Sequence, residues 1–261
     1  MVIGLIAGKG RLPEVFRENA LKKGDDVVTI GIDGVTETKS DYSLPMGRVG
    51  KLLKILEKRR VEGIVMLGKF EHRMIYTAIF GFDLTALNIL RRAKDRRAES
   101  VLRAFIESLE EKGFTFIDPK PYLEDLLAGE GPLTRIAPSR EALEDASFGF
   151  PIAREIATLD VGQTIVVKDK AVVAVEAMEG TQRTIERGGR IAGKGTRVIK
   201  VSRKHQDFRI DVPGVGIETL EAMKKTGADA LFIEAGRVFV IDGEEFFKKA
   251  ERYRIPVYGM C

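Results

Sequence analysis

Two rhythms of apolar and polar positions divide the chain. In the first half, short apolar runs alternate with segments of helical spacing. VIGLIAG (2–8), DVVTIGI (26–32) and VEGIVMLG (61–68) are continuous apolar runs of strand length. LPEVFRENALKKG (12–24), VGKLLKILEKRR (49–60) and SVLRAFIESLEEKG (100–113) place apolar residues three and four apart, and the first and third stop at glycine. FTFID (114–118) follows as another strand. This alternation predicts a Rossmann-like α/β domain with a mainly parallel sheet. The turn-rich GEGPLTRIAPSREALEDA (129–146) sets the expected boundary near residue 134, giving domains 1–134 and 135–261, with a connecting helix over REALEDA that continues into PIAREIATLD. The second half reads differently. TIVVKDKAVVAVEAM (164–178) is a hairpin about Lys168-Asp169-Lys170. A short helix (180–190), strands at 196–202 and 205–213, a helix (216–227), a strand–turn–strand (229–242) and a last helix (243–254) complete it. That mixture predicts a mixed-sheet α+β domain.

Composition narrows the chemistry. The 261 residues are 44% hydrophobic, enough for one large domain or two ordinary ones. No apolar run approaches a membrane span, and MVIGLIAGKG lacks the basic start of a signal peptide. The single cysteine, Cys261, permits no internal disulfide. These features lead to the expectation of a cytoplasmic protein. With one cysteine and two histidines, His72 and His205, a zinc site or a Cys–His nucleophile is poorly supplied. Oxygen ligands with magnesium, or manganese as the alternative, suit the inventory better. The net charge of +4 is interspersed, as on a solvated surface. It also suits anionic substrates or an anionic membrane face. Aromatic residues do not alternate with basic ones, so nucleic acid is not expected as a partner.

Four stretches are candidates for chemistry. IAGKGRLP pairs a glycine loop with a helix start, where Gly8 and Gly10 allow close backbone approach and amides suit phosphate. Pro13 stands where a dinucleotide fingerprint has its third glycine. Gly68 and Lys69 end another apolar strand, and with Gly8 and Gly10 they are placed to line one crevice beyond the strand ends. Each also reads as an ordinary turn or loop residue. In EAMEGTQ, Glu179 is suited to a metal or a sugar hydroxyl, and Thr181 to a phosphate or to a helix cap. In QDFRIDVPG, alternation along a strand puts Asp207, Arg209 and Asp211 on one face. Two carboxylates four apart on a straight strand lie roughly 13 Å apart, too far to bind one ion directly. Asp211, at the strand tip, is placed at the reacting centre, with Asp207 as a second ligand or orienting group. A surface ladder of charges is the competing reading.

Taken together, IAGKGRLP, LDVGQTIVVKDKAVVAVEAMEGT, QDFRIDVPGVGIETL and IEAGRVFVID resemble, in order, the metal-dependent UDP-2,3-diacylglucosamine pyrophosphatases of lipid A biosynthesis. The resemblance covers nearly the whole chain. It implies two α/β domains holding the lipid product between them. It implies hydrolysis to UMP and 2,3-diacylglucosamine 1-phosphate, water attack on the sugar-side phosphorus and a need for magnesium. An essential aspartate falls on Asp211 first, with Asp207 beside it, and the cation ligands expected are Asp211, Asp207 and Glu179. Gly180, Thr181, Gln182, Lys200, Lys204 and Arg209 join Gly8, Gly10, Gly68 and Lys69 as substrate-binding residues. Gln182 stands where the family usually has an aspartate, and an amide brings a cation no charge. The implied partner is the glycolipid, with peripheral contact at the cytoplasmic face of the inner membrane, and with homo-oligomer formation left open. An apolar cleft for acyl chains is looked for around Phe148, Phe150 and Ile152, which read equally as core. Two other functions stand beside this one: a nicotinamide-dependent oxidoreductase, with Asp33 as its ribose ligand, and a non-catalytic glycolipid or nucleotide carrier.

Overall fold

The computed structural model describes residues 1–69, 81–95 and 98–261. The chain divides into two compact units: residues 1–124 with 207–211, and residues 125–206 with 212–261.

The first unit is built on a parallel sheet of β1 (Val2–Ala7), β2 (Asp26–Ile32), β3 (Tyr42–Leu44) and β4 (Gly63–Leu67), ordered β3-β2-β1-β4. β1 and β4 are buried along nearly their whole length. That explains why they read as apolar runs rather than alternating ones. Helices α1 (Leu12–Lys22), α2 (Val49–Lys58), α3 (Leu84–Arg92) and α4 (Ala98–Glu110) accompany the sheet. α2 turns Leu52 and Leu56 into a core with Val28, Ile30, Ile64, Met66, Ile106 and Phe116. Gly4 lets α2 close on β1, since a Cβ there would lie 2.9 Å from Leu56 Cδ2. Asp83 caps α3 through the Ala86 amide (2.9 Å) and also takes the Gly50 amide (2.7 Å), tying α3 to the start of α2. The strand expected at 114–118 is reduced to a bridge between Phe116 and Ile64.

The second unit carries a mixed sheet ordered β5-β12-β10-β8-β6-β7: Gly131–Pro132, Val257–Met260, Ala230–Glu234, Arg197–Lys200, Thr164–Lys168 and Ala171–Val175. β12, β10 and β8 run parallel, and β5, β6 and β7 join by antiparallel pairing. Side chains alternate between two cores. Val166, Val198, Leu231 and Ile233 face one cluster, while Ile165, Val167, Ile199 and Phe232 face the other. The second cluster is covered by α5 (Arg140–Thr158), a single helix that runs through Pro151. The first cluster includes buried residues of α6 (Thr181–Ala192), α7 (Ile217–Thr226) and α8 (Gly243–Tyr253). Gly149 and Gly188 allow close approach to the sheet, because Cβ atoms there would lie 2.5 Å from Ile199 Cδ1 and 2.7 Å from Val166 Cγ1. The β6–β7 turn has Asp169 and Lys170 at φ 50° and 55°, as a two-residue hairpin turn requires. Buried Asp145 accepts both turn amides, at 3.1 and 2.6 Å.

Two further expectations change. β11 (Phe239–Val240) pairs with β9 (Gly214–Val215) rather than with β10. Residues 205–213 form no strand. The Ile210 and Asp211 amides both donate to the Asp207 carbonyl, at 3.0 and 3.2 Å, closing a turn. This segment, expected in the second domain, packs within the first unit because Ile210 joins its apolar cluster.

Candidate functional site

In the first unit, β2 lies on one side of β1 and β4 on the other, so the order reverses between β1 and β4. The carboxyl ends of strands at such a reversal are where ligands of open α/β sheets bind. The loops after β1 and β4 meet there, as the spacing of Gly8, Gly10, Gly68 and Lys69 predicts. They also zip together. Gly8 N–H donates to Leu67 O at 2.7 Å, and Lys9 and Lys69 exchange backbone hydrogen bonds at 3.1 and 2.9 Å. Gly10 N–H donates to Glu37 Oε2 at 3.2 Å. These amides are therefore already engaged, and the loops present Lys9 and Lys69 at an exposed surface. Gly68 has a structural reason to be glycine. Its φ is +100°, and a Cβ would sit 2.8 Å from the Gly8 carbonyl carbon.

The 207–211 turn belongs to the same unit. Asp207 and Arg209, expected to share a strand face, contact each other through the turn instead. Arg209 Nε and Nη2 donate to Asp207 Oδ1 and Oδ2, both at 2.9 Å. Hydrogen bonding from Arg209 holds the Asp207 carboxyl below its ordinary range, and Asp207 in turn raises the guanidinium. Asp211 is exposed at the end of the turn.

The second unit gathers a different set where β8 ends, β6 begins and β7 ends. Lys200 is buried, with its side chain 8% exposed. Its Nζ donates to Thr181 Oγ1 at 2.7 Å and to Thr164 Oγ1 at 3.3 Å. Thr181 donates to Glu176 Oε1 at 2.9 Å, and Glu176 Oε2 lies 3.9 Å from Lys200. Thr181 thus opens α6 as a hub between a buried cation and a carboxylate. Gly180, before it, has φ +82° and open space where a Cβ would stand. Glu179 turns to Arg187, which contacts it closely and also donates to Val175 O at 2.7 Å. Burial works to raise the Glu179 carboxyl, but Arg187 and the backbone amides outweigh it and hold it low. Gln182 donates to Glu218 at 3.1 Å. Lys204 lies in an exposed turn whose carbonyl accepts from Arg237 at 3.1 Å.

Two of the three carboxylates offered for a cation are therefore tied to guanidinium groups: Asp207 to Arg209, and Glu179 to Arg187. Among the described residues no three His, Cys, Asp or Glu side chains converge as ligands. As arranged, Asp207 and Glu179 would have to give up those pairs to hold a divalent cation. His72 lies outside the described residues. Phe150 and Ile152, on α5, pack into the core cluster under that helix, while Phe148 is exposed. Sequence reasoning gave no role to Thr164 or Glu176. The hairpin register carried the signal, since Ile165 pairs with Val175 and the Glu176 amide reaches Thr164 O at 2.8 Å.

The family model described as LpxI N-terminal domain matches residues 2–126, and that described as LpxI C-terminal domain matches residues 129–258. The chain belongs to the LpxI family. A relative, the UDP-2,3-diacylglucosamine pyrophosphatase LpxI of Caulobacter vibrioides, is 26% identical over 273 residues, covering 99% of this chain and 97% of the relative. The LpxI domain models meet at residues 127–128, close to the division between the two compact units at residues 124–125.

Proposed function

We propose that the chain hydrolyses the pyrophosphate of UDP-2,3-diacylglucosamine, releasing UMP and 2,3-diacylglucosamine 1-phosphate. The observation that carries the reading is the match of both LpxI domain models in sequence order, with a relative of that named activity aligned over nearly its full length. Hydrolysis of a diphosphate needs positioning and charge stabilisation more than a covalent nucleophile. The second unit supplies a cation and a hydroxyl held together, Lys200 and Thr181, beside the unobstructed backbone of Gly180. The Lys200 cation suits phosphate oxygens on which negative charge grows as the bond breaks. For Asp211, exposed in the first unit, the resemblance implies a part in the attack of water at the sugar-side phosphorus. In the first unit, Lys9 and Lys69 offer positive charge at the strand ends, while Gly8, Gly10 and Gly68 shape the loops that carry them.

The nicotinamide alternative loses its footing at that loop. The Gly8, Lys9 and Gly10 amides are taken by Leu67, Lys69 and Glu37. A divalent-ion requirement stays an expectation of the family resemblance, which the ion pairs around Asp207 and Glu179 do not support. For the acyl chains, Leu159 (73% exposed), Val161 and Met178 (82% exposed) offer apolar surface near the open end of the β6–β7 hairpin. We place peripheral membrane contact there, and flotation with phosphatidylglycerol vesicles tests it. Among the described residues no helix is long and apolar enough to cross a membrane.

The test is turnover of UDP-2,3-diacylglucosamine by the purified chain, before and after chelation and with magnesium or manganese restored. Release of UMP supports the reading, and its absence under every ionic condition refutes it. Loss on chelation with recovery on adding metal would establish the ion.

A further inference from the structure

The two aspartates of the QDFRID segment differ in exposure. Asp207 accepts three N–H groups from one residue: Arg209 Nε and backbone N at Oδ1 (2.9 and 3.1 Å) and Nη2 at Oδ2 (2.9 Å). Its carbonyl takes the next two amides, those of Ile210 and Asp211. The other arm of Arg209 reaches Glu110 at 3.2 Å. Lys120 Nζ stands 5.6 Å from the centre of the Phe208 ring, and Ile210 packs into the first unit's core. Phe208, Arg209 and Ile210 are thus tied to the rest of that unit, Asp207 is tied to Arg209, and Asp211 follows, exposed.

We propose that Asp207 is a positioning residue. Its fork on Arg209 fixes the turn that presents Asp211, and Asp207 is not itself a cation ligand. A two-pronged, charge-assisted pair is directional as well as attractive. To ligate a cation, Asp207 would have to surrender that pair and with it the geometry of the turn. A single half-exposed ion pair contributes little alone. Here the fork and the turn hydrogen bonds involve the same residue, so losing the carboxylate loosens them together. The kinetic part of this inference rests on the hydrolase reading. The structural part does not.

The test compares Asp207→Asn, Arg209→Lys and the double variant with the unaltered full-length chain. Hydrogen exchange at the 209–211 amides, which needs no turnover, should quicken about tenfold in Asp207→Asn, because a charge-assisted fork is lost. Arg209→Lys keeps the charge without the fork and should fall between. In UMP release, kcat should drop about tenfold with KM unchanged, and the double variant should lose little more than the worse single one. If a divalent ion is required, its half-saturating concentration should stay the same in Asp207→Asn. If chelation leaves the unaltered chain active, a ligand role for Asp207 ends, and exchange and kcat decide the matter. A steep rise in the ion concentration needed, unchanged exchange, or faster exchange with unchanged kcat would each overturn the proposal. If the unaltered chain releases no UMP, the hydrolase reading fails, while the exchange arm still judges the fork.

Discussion

Replacing Thr181 by valine removes one hydroxyl and almost no volume, so its cost reads the polar hub without a cavity. The hydroxyl accepts from Lys200 at 2.7 Å and donates to Glu176 at 2.9 Å. Without it, Lys200 keeps Thr164 at 3.3 Å, and Glu176 keeps the Gln163 amide at 3.3 Å. Hydrogen bonds to charged groups contribute roughly 1.5–3 kcal/mol each, so two lost outright would cost about 3–6 kcal/mol. The 3.9 Å gap between Lys200 and Glu176 can close, however, and a direct ion pair would recover part of that loss. The expected net cost is about 2 kcal/mol, which at a urea slope of about 2 kcal/mol/M lowers the midpoint by about 1 M. The chain has no tryptophan, so far-UV circular dichroism is the probe. Thr181→Ser keeps the hydroxyl and should stay within about 0.3 M of the unaltered chain. A valine variant that unfolds at the same urea concentration as the serine variant would refute the hub.

Other expectations follow from close packing and from charge. Gly149→Ala gains about 1 kcal/mol of helix propensity but forces a methyl within 2.5 Å of Ile199 and 2.7 Å of Val167, at a cost of about 1–3 kcal/mol; the net should be a melting temperature lower by a few degrees. Gly68→Ala meets the Gly8 and Lys9 backbone at φ +100°, which cannot yield as a side chain would, and should destabilise by about 2 kcal/mol or more in the same thermal measurement. The Asp207 carboxyl is depressed in the folded chain, so its contribution is present above the unfolded value of about 3.9 and is lost as pH falls through the lower folded value. The stability gap between the unaltered chain and Asp207→Asn, followed by urea titration, should therefore narrow below about pH 4 and stay constant from pH 5 to 7.

The sheet strands were legible because burial on both faces leaves a continuous apolar run, as in β1 and β4. The β6–β7 hairpin was legible because a tight two-residue turn sits between two such runs. The 205–213 segment misled for a physical reason. Phe208 and Ile210 alternate with charged residues as in a strand, and Ile210 does pack inward. Yet an aspartate carboxylate and carbonyl compete for the following amides, and at Asp207 that local competition prevails over strand geometry. Nothing local in the pattern places this segment with the first unit, since that depends on where Ile210 finds its neighbours. The same limit hid Glu176. Its part in the hub depends on the register of the hairpin and on the end of β8, 24 residues away in sequence at Lys200. Arg187 lies eight positions beyond Glu179, two turns along α6, and no motif spacing linked the two.

The most direct trial of the functional account is phosphorus NMR of UDP-2,3-diacylglucosamine turned over in water enriched in oxygen-18, with Asp211→Asn run alongside. The account predicts equal amounts of UMP and the sugar 1-phosphate, the heavy isotope on the sugar phosphate alone, and a folded Asp211→Asn variant that leaves the diphosphate intact. Label on UMP, or undiminished cleavage by the Asp211→Asn variant, would contradict it.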